Sequence, residues 1–527
     1  MKFSAHVLPP QLSKNPLYVF LAVCLLFYLA YELAQYVIAA DITGLEYVAL
    51  GVAAGACAVK TLNNWRTGTI IFFAWIFFED LARKYLGNNM AIYFAKDFLV
   101  ATVYLSFFLA YRRLHIQLFR PPFRAPLLLF IWFGVLQVFN PTSTSFYFGL
   151  LGLKLYFYYV PLLFIGYALI KSEADLQRFF PFFMVLTLIV AGLGIAQAIL
   201  GHTFLNPAVI QEDIRGLSTA YRVAPVSGVM VYRPTSVFVS SGRFAFFLVP
   251  AWLFAFGYGG YLLLRSRRYR LLTSVALAVT TVAIALCASR GTLLWTIGSA
   301  LISIPTLLWG CPWQKGQLVR ILRTFQRAVI AIIVALTIMF LLYPQALTDR
   351  FSFYWETLDP SSTNSELVER MQTYPLQNLL MAFQYPRWPY GYGIGTASLG
   401  IQYIARILHV PSLGLAVESG FGTLVLELGI VGLLLYLVLA TSIVGSAWSA
   451  VHKLKGTLWF PIGFVIFWYS FLFSFPYVWA GLQPYEDFIL NSLFWFSLGI
   501  LFRLPSLTAS AQVSQINSAQ FRTTRTA

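Results

Sequence analysis

Charge is what this chain has least of. Charged residues make up 10% of it, against about 25% in soluble domains, and that scarcity excludes a soluble globular protein. Acidic residues are the rarer sign, 19 Asp and Glu against 36 Lys and Arg, for a net charge of +17. Only four cysteines occur, Cys24, Cys57, Cys287 and Cys311, with no spacing that suggests a metal site or a disulfide framework. The five histidines form no HExxH, and only His202 and His409 fall in outward segments. No GxSxG elbow and no Gly-Lys-Ser/Thr ending is present, which excludes the hydrolase elbow and the P-loop. No internal repeat is visible, and this weighs against transporters built from repeated halves.

What the chain has is apolar sequence. Hydrophobic residues make up 59%, in about fourteen runs of membrane-spanning length, each needing about 20 residues. The expectation is an all-α polytopic membrane protein with about 14 (12–14) transmembrane helices. A β-barrel is excluded, because its strands are short alternating segments. The first run, near 17–39, is too long for a signal-peptide core and reads as a retained span.

Basic residues cluster in alternate short loops: Arg112, Arg113, Arg120 and Arg124; Arg265, Arg267, Arg268 and Arg270; Lys315, Arg320, Arg323 and Arg327; Lys453 and Lys455. The positive-inside rule places these loops and both termini in the cytoplasm, and explains the net charge without a nucleic acid partner. One membrane domain then carries two outward inserts. Segment 1–343 holds the spans up to the large loop, with an outward loop at 201–235. Segment 344–419 is a large outward loop with short amphipathic helices, and 420–503 returns to spans. Segment 504–527 is a Ser-, Thr-, Ala- and Gln-rich tail read as disordered and cytoplasmic.

Polar residues stand out against this background. Lys96 and Asp97 are adjacent in a span, where a charge costs ~2.5–3.5 kcal/mol, and should meet different partners. Lys154 is placed within a few residues of the outer end of its span, as a snorkeller or an anion contact. Arg290 follows a span in ALCASRGTLLW, with Gly291 allowing a tight helix-to-helix turn. Arg233 and Arg243 lie in VYRPTSVFVSSGRFAFFLVP and Arg370 in the large loop. Guanidinium groups converging from separate loops suit a diphosphate. The GYGIGT string is a tight packing turn, or brings backbone N–H groups to a phosphate or sugar. Glu418 can act as a general base at the outer end of a span. Glu427 is deeper, as a cap or a buried hydrogen-bond partner.

Three strings in order carry a family likeness: SRGTLLW after a span, ELVERMQTY followed by PYGYGIGTAS in a large outer loop, and ESGFGTLVLELGIVGLLLYL. NPTSTSFYFGLLGLKLYFYYVPLLF is a weaker echo. Together they resemble the O-antigen ligase and O-antigen polymerase superfamily (the Wzy type), with membrane glycosyltransferases of the GT-C class. The resemblance covers most of the chain and is sharpest from about Arg233 to Gly432. It implies a GT-C-like fold in the bacterial inner membrane and transfer of a glycan from undecaprenyl diphosphate at the periplasmic face. The acceptor is another carrier-linked unit in polymerases and the lipid A core in ligases. The family's ligases carry a histidine where this chain has Glu418, which favours an O-antigen or exopolysaccharide polymerase over a ligase.

By the same resemblance, Arg290, Arg233 or Arg243, and Arg370 hold the diphosphate, while Glu418 takes the acceptor's proton. Trp388, Tyr390 and Tyr392, with Tyr385 and Tyr403, stack on sugar rings. No metal or other cofactor is implied. The implied partners are a lipid-diphosphate-linked oligosaccharide, membrane lipids, a flippase and a chain-length regulator. Two other classes compete: a transporter or flippase of an anionic solute or lipid-linked glycan, for which Lys96–Asp97 is the candidate, and a non-catalytic scaffold.

Overall fold

The computed structural model describes residues 42–86, 90–115, 118–207, 221–265, 268–313, 343–359, 374–398, 400–415, 417–475 and 487–523. Scattered positions between 28 and 35 and between 323 and 342 are also described. The protein is an all-α membrane protein. Seven described helices are long and apolar enough to cross a membrane, accompanied by three shorter apolar helices. Where the sequence predicted one membrane domain, the chain divides into two compact units, 1–118 and 119–527.

The first unit packs α1 (Ile42–Asn63), α2 (Trp65–Tyr85) and α3 (Met90–Arg113) against one another. Asn64 caps α2 by accepting from the N–H groups of Arg66 and Thr67. Lys96 finds its partner across the helix pair. Its Nζ donates to Glu79 Oε1 at 3.0 Å, with both side chains buried, and it lies 3.6 Å from the Tyr93 ring centroid. Burial of such a charge requires this kind of pairing.

The second unit begins with α4 (Arg124–Val138), α5 (Phe146–Phe157), α6 (Leu162–Leu169) and α7 (Glu173–Leu200). The run predicted as one span at 148–170 is one of the seven, Phe146–Leu169, with a turn at Pro161 between α5 and α6, where proline lacks an N–H and disfavours helix in the residue before it. The Leu155 carbonyl accepts from Asn491 Nδ2 at 2.9 Å, and Lys154 sits in the last turn of α5.

Next come the strands β1 (Tyr221–Val223) and β2 (Met230–Tyr232), an antiparallel hairpin with Arg222 opposite Val231. Helices α8 (Ser241–Leu264), α9 (Arg270–Leu286) and α10 (Arg290–Gly310) follow. Segment 344–419 contains short helices: α11 (Pro344–Leu358), α12 (Tyr374–Ala382) and α13 (Ile401–Leu408). The part of it at 360–373 lies outside the described residues. The last helices are α14 (Gly420–His452), α15 (Phe460–Ser474) and α16 (Phe488–Thr523). Residues 504–523 of the tail expected to be disordered continue α16, and 524–527 lie outside the described residues. Beyond Pro505 it holds no glycine or proline, so nothing in it stops a helix already begun.

Helix α8 is the hub, packing on α7, α9, α10, α15 and α16. Helices α6 and α16 approach through glycines: a Cβ on Gly166 would stand 2.1 Å from the Phe496 carbonyl, and one on Gly499 2.1 Å from that of Leu163. Close backbone approach through small residues is how membrane helices gain packing contact. The alternation of spans puts the N-termini of α5, α8, α10, α14 and α16 at one end of the unit, with the C-termini of α7 and α9. The hairpin and α11 sit at this end, so it is called the hairpin end.

Candidate functional site

The hairpin end gathers arginines from three separate segments. The first is Arg290, the opening residue of α10. The turn before it is made by Ala288 in the left-handed conformation (φ 50), not by Gly291 as the sequence suggested. The Arg290 guanidinium lies 5.5 Å from the ring centroid of Phe353 in α11.

The second and third come from the hairpin. Cross-strand partners share a face of a two-stranded sheet, so Arg222 lies on the face of Val231. Val231 is buried with Ala224, Ala288 and Phe353, which turns that face toward the α9–α10 turn and α11. Arg233 follows β2 directly. Burial lowers the Arg233 guanidinium to about 10, and the like charges of Arg222 and Arg290 push in the same direction. It remains a cation at neutral pH, among cations. The backbone beyond it is pinned by Gln197 of α7, whose Oε1 accepts from Thr235 N at 2.8 Å and Ser236 N at 2.7 Å.

Helix α11 closes the arrangement. Arg350 is 5% exposed. It donates from Nε to the Leu286 carbonyl at 2.9 Å, and from Nη2 to the carbonyls of Tyr232 at 3.2 Å and Ala198 at 3.4 Å. Two of these carbonyls end α9 and α7, where the helix dipole favours a cation. Glu356 Oε2 accepts from the N–H groups of Val226 at 2.9 Å and Ser227 at 3.0 Å in the hairpin turn. Hydrogen bonds from Ser227, then from Val226, hold the Glu356 carboxyl below its ordinary range.

Sequence reasoning left open whether Arg233 or Arg243 accompanies Arg290. Arg243 is engaged elsewhere: its Nε donates to Asp487 Oδ2 at 2.8 Å, and its guanidinium lies over the Phe488 ring. Asp487 in turn caps α16 by accepting from the N–H groups of Ile489 and Leu490. Arg233 is within electrostatic reach of Arg290. Arg370 lies outside the described residues.

A second polar centre is built on α14. The helix is kinked at Gly429 (φ 69, ψ −174), which frees backbone groups of the preceding turn. The glycine-rich loop takes them: Tyr392 N donates to Leu426 O at 2.7 Å, Gly393 N to Glu427 O at 3.0 Å, and Ile430 N to Pro389 O at 3.3 Å. Gly391, Gly393 and Gly395 all have positive φ. A Cβ on Gly391 would stand 2.5 Å from the Glu427 carbonyl. The GYGIGT string is thus a packing turn, and its amides at 392 and 393 are spent on α14.

The Glu427 side chain is fully buried. It accepts from Tyr156 Oη at 2.9 Å, Ser398 Oγ at 2.7 Å and Ala397 N at 3.0 Å. Gln137 in the last turn of α4 and Asn140 in the α4–α5 turn donate to the carbonyls of Tyr390 and Gly391.

Glu418 is exposed and directly precedes Ser419, the N-cap of α14. Tyr390 is 78% exposed, Trp388 packs edge-on against Phe383, and Tyr385 meets Tyr392. The Tyr403 side chain is outside what is described. Glu418 and these aromatics belong to the α14 side of the hairpin end, and Arg222, Arg233 and Arg290 to the α9–α10 side. Among the described residues, no group of three or more His, Cys, Asp or Glu gathers as a metal site.

Arg222 was missed by the sequence reading, and Arg350 reads there only as one of the charged residues of the large loop, with no role assigned. YRV and MVY flank APVSG, a Pro–Gly turn between two short β-prone runs, and that pattern is a hairpin signal. Nothing local marks Arg350. No protein-family model matches the chain, no curated protein matches it, and no solved structure matches it.

Proposed function

We propose that this protein is a membrane glycan polymerase, transferring a glycan from a lipid-diphosphate carrier to an acceptor sugar hydroxyl at the hairpin end, which faces the periplasm. One observation carries the reading. Arg233 lies within electrostatic reach of both Arg222 and Arg290, on a hairpin whose Val231 packs with Ala288 and Phe353 beside the start of α10. A diphosphate carries the charge and acceptor geometry that arginines match. The resemblance of SRGTLLW, PYGYGIGTAS and ESGFGTLVLELG to the O-antigen polymerase and ligase superfamily supplies the reaction.

In that reaction the acceptor hydroxyl oxygen bonds to the anomeric carbon as the bond from that carbon to the carrier's phosphate oxygen breaks. The carrier leaves as its diphosphate, and the arginines stabilise the charge that develops. Glu418, exposed beside the α14 N-cap, accepts the hydroxyl proton. Exposed Tyr390 offers a ring to a sugar.

The test uses purified protein in nanodiscs with lipid-diphosphate-linked repeat units. Wild type should build a ladder of longer glycans, and Arg290→Ala and Glu418→Gln should abolish it while remaining folded. Transfer to a lipid A core acceptor without a ladder would replace polymerase by ligase. No glycan product from an authentic donor would overturn the glycosyltransferase reading.

A further inference from the structure

We propose that α11 is a bracket that holds the three arginines at working distance, with Arg350 and Glu356 as positioning residues that do not touch the anion. This rests on the anion-site reading above. The carbonyl of Tyr232, one of the three that Arg350 grips, belongs to the peptide bond whose nitrogen is that of Arg233. The carbonyl of Leu286 opens the turn that ends at Arg290. One buried guanidinium therefore ties the backbone just before each of two site arginines. Six residues along the same helix, Glu356 holds the hairpin turn that follows Arg222. Phe353, between them, packs under Ala224, Val231 and Ala288 and stands against Arg290.

The physical need for such a bracket is the hairpin itself, since a two-stranded hairpin is marginally stable alone and carries Arg222 and leads into Arg233. Without α11 the hairpin and the turn before Arg290 lose the contacts that fix them. With it the arginines are preorganised, and an anion binds without first having to assemble them. A lysine at 350 keeps the charge but cannot present a planar fork to three carbonyls.

The experiment compares wild type, Arg350→Lys and Glu356→Ala in detergent. It reads affinity for farnesyl diphosphate, hydrogen exchange of the hairpin and of the 286–290 turn, and the melting temperature. The expected result is faster exchange confined to those segments and roughly tenfold weaker binding, the scale of effect a misplaced ligand group produces, with melting of the spans unchanged. If Arg350→Lys does not fold, Glu356→Ala decides, since its side chain reaches from the surface. Binding that holds at wild-type strength, whether or not exchange rises, overturns the bracket while leaving the anion site standing. Wild-type protein that binds no better than Arg233→Ala with Arg290→Ala overturns the anion site, and this positioning role with it.

Discussion

Replacing Glu427 by leucine should loosen the glycine-rich loop more than any other single change on α14. Hydrogen bonds from Tyr156, Ser398, Ala397 and the Gly395 N–H converge on that buried carboxylate. Leucine leaves these donors unsatisfied, at about 1–3 kcal/mol each. The gain from burying a leucine is ~1.5–3 kcal/mol, so the balance is a loss of a few kcal/mol, borne by the loop. Glutamine keeps a carbonyl oxygen for Ser398 and Ala397, and the Tyr156 hydroxyl can turn to accept from the new amide. Its loss is the charge assistance alone, ~1–2 kcal/mol. The order of melting temperatures should therefore be wild type, then Glu427→Gln, then Glu427→Leu. Tryptophan fluorescence of the detergent-solubilised protein would give the melting temperatures. Limited proteolysis should find the 384–399 segment newly cleavable in the leucine variant. A leucine variant that melts with wild type and keeps its loop protected would refute the claim that this carboxylate joins loop to helix.

Two further predictions separate effects that share a residue type. Gly429→Ala puts a Cβ 2.5 Å from the Pro389 carbonyl at φ 69, where left-handed backbone alone costs ~1–2 kcal/mol, while Gly445→Ala in the same helix meets nothing within 4 Å and should gain ~0.5–1 kcal/mol. Thermal melts of the two variants should move in opposite directions, and equal shifts would mean that the kink is not held by the loop. Arg243→Ala strands the buried Asp487 and should cost ~2–3 kcal/mol, yet leave farnesyl diphosphate binding in the folded fraction. Arg233→Gln should bind the probe far more weakly than wild type; weak binding in Arg243→Ala with full binding in Arg233→Gln would exchange the two roles.

The class of protein was legible because hydropathy is a local property: a run of about 20 apolar residues reads as a span whatever it packs against. The pairing of Arg233 with Arg290 was legible as a shortlist, since arginines in outward loops are few. The span across Pro161 was legible from hydropathy as well, its apolar run continuing through the turn at that proline. What stayed hidden depends on partners far along the chain. Arg350 reaches carbonyls 64, 118 and 152 residues away. The glycine loop meets a kink in α14 that no single residue other than Gly429 announces. Arg222 needs the hairpin register before its face is known.

The arginines of the hairpin end show why residue type alone cannot assign a role. Arg350 stands against carbonyl oxygens and Arg243 against a carboxylate; both are tied into the fold, and both arrangements lower the energy of the empty protein. Arg233 instead feels the like charges of Arg222 and Arg290 in addition to its burial. The same side chain therefore meets neutral acceptors, an acidic partner and other cations within one end of the fold, and only binding to an anion, not residue type, separates a structural arginine from a ligand-holding one.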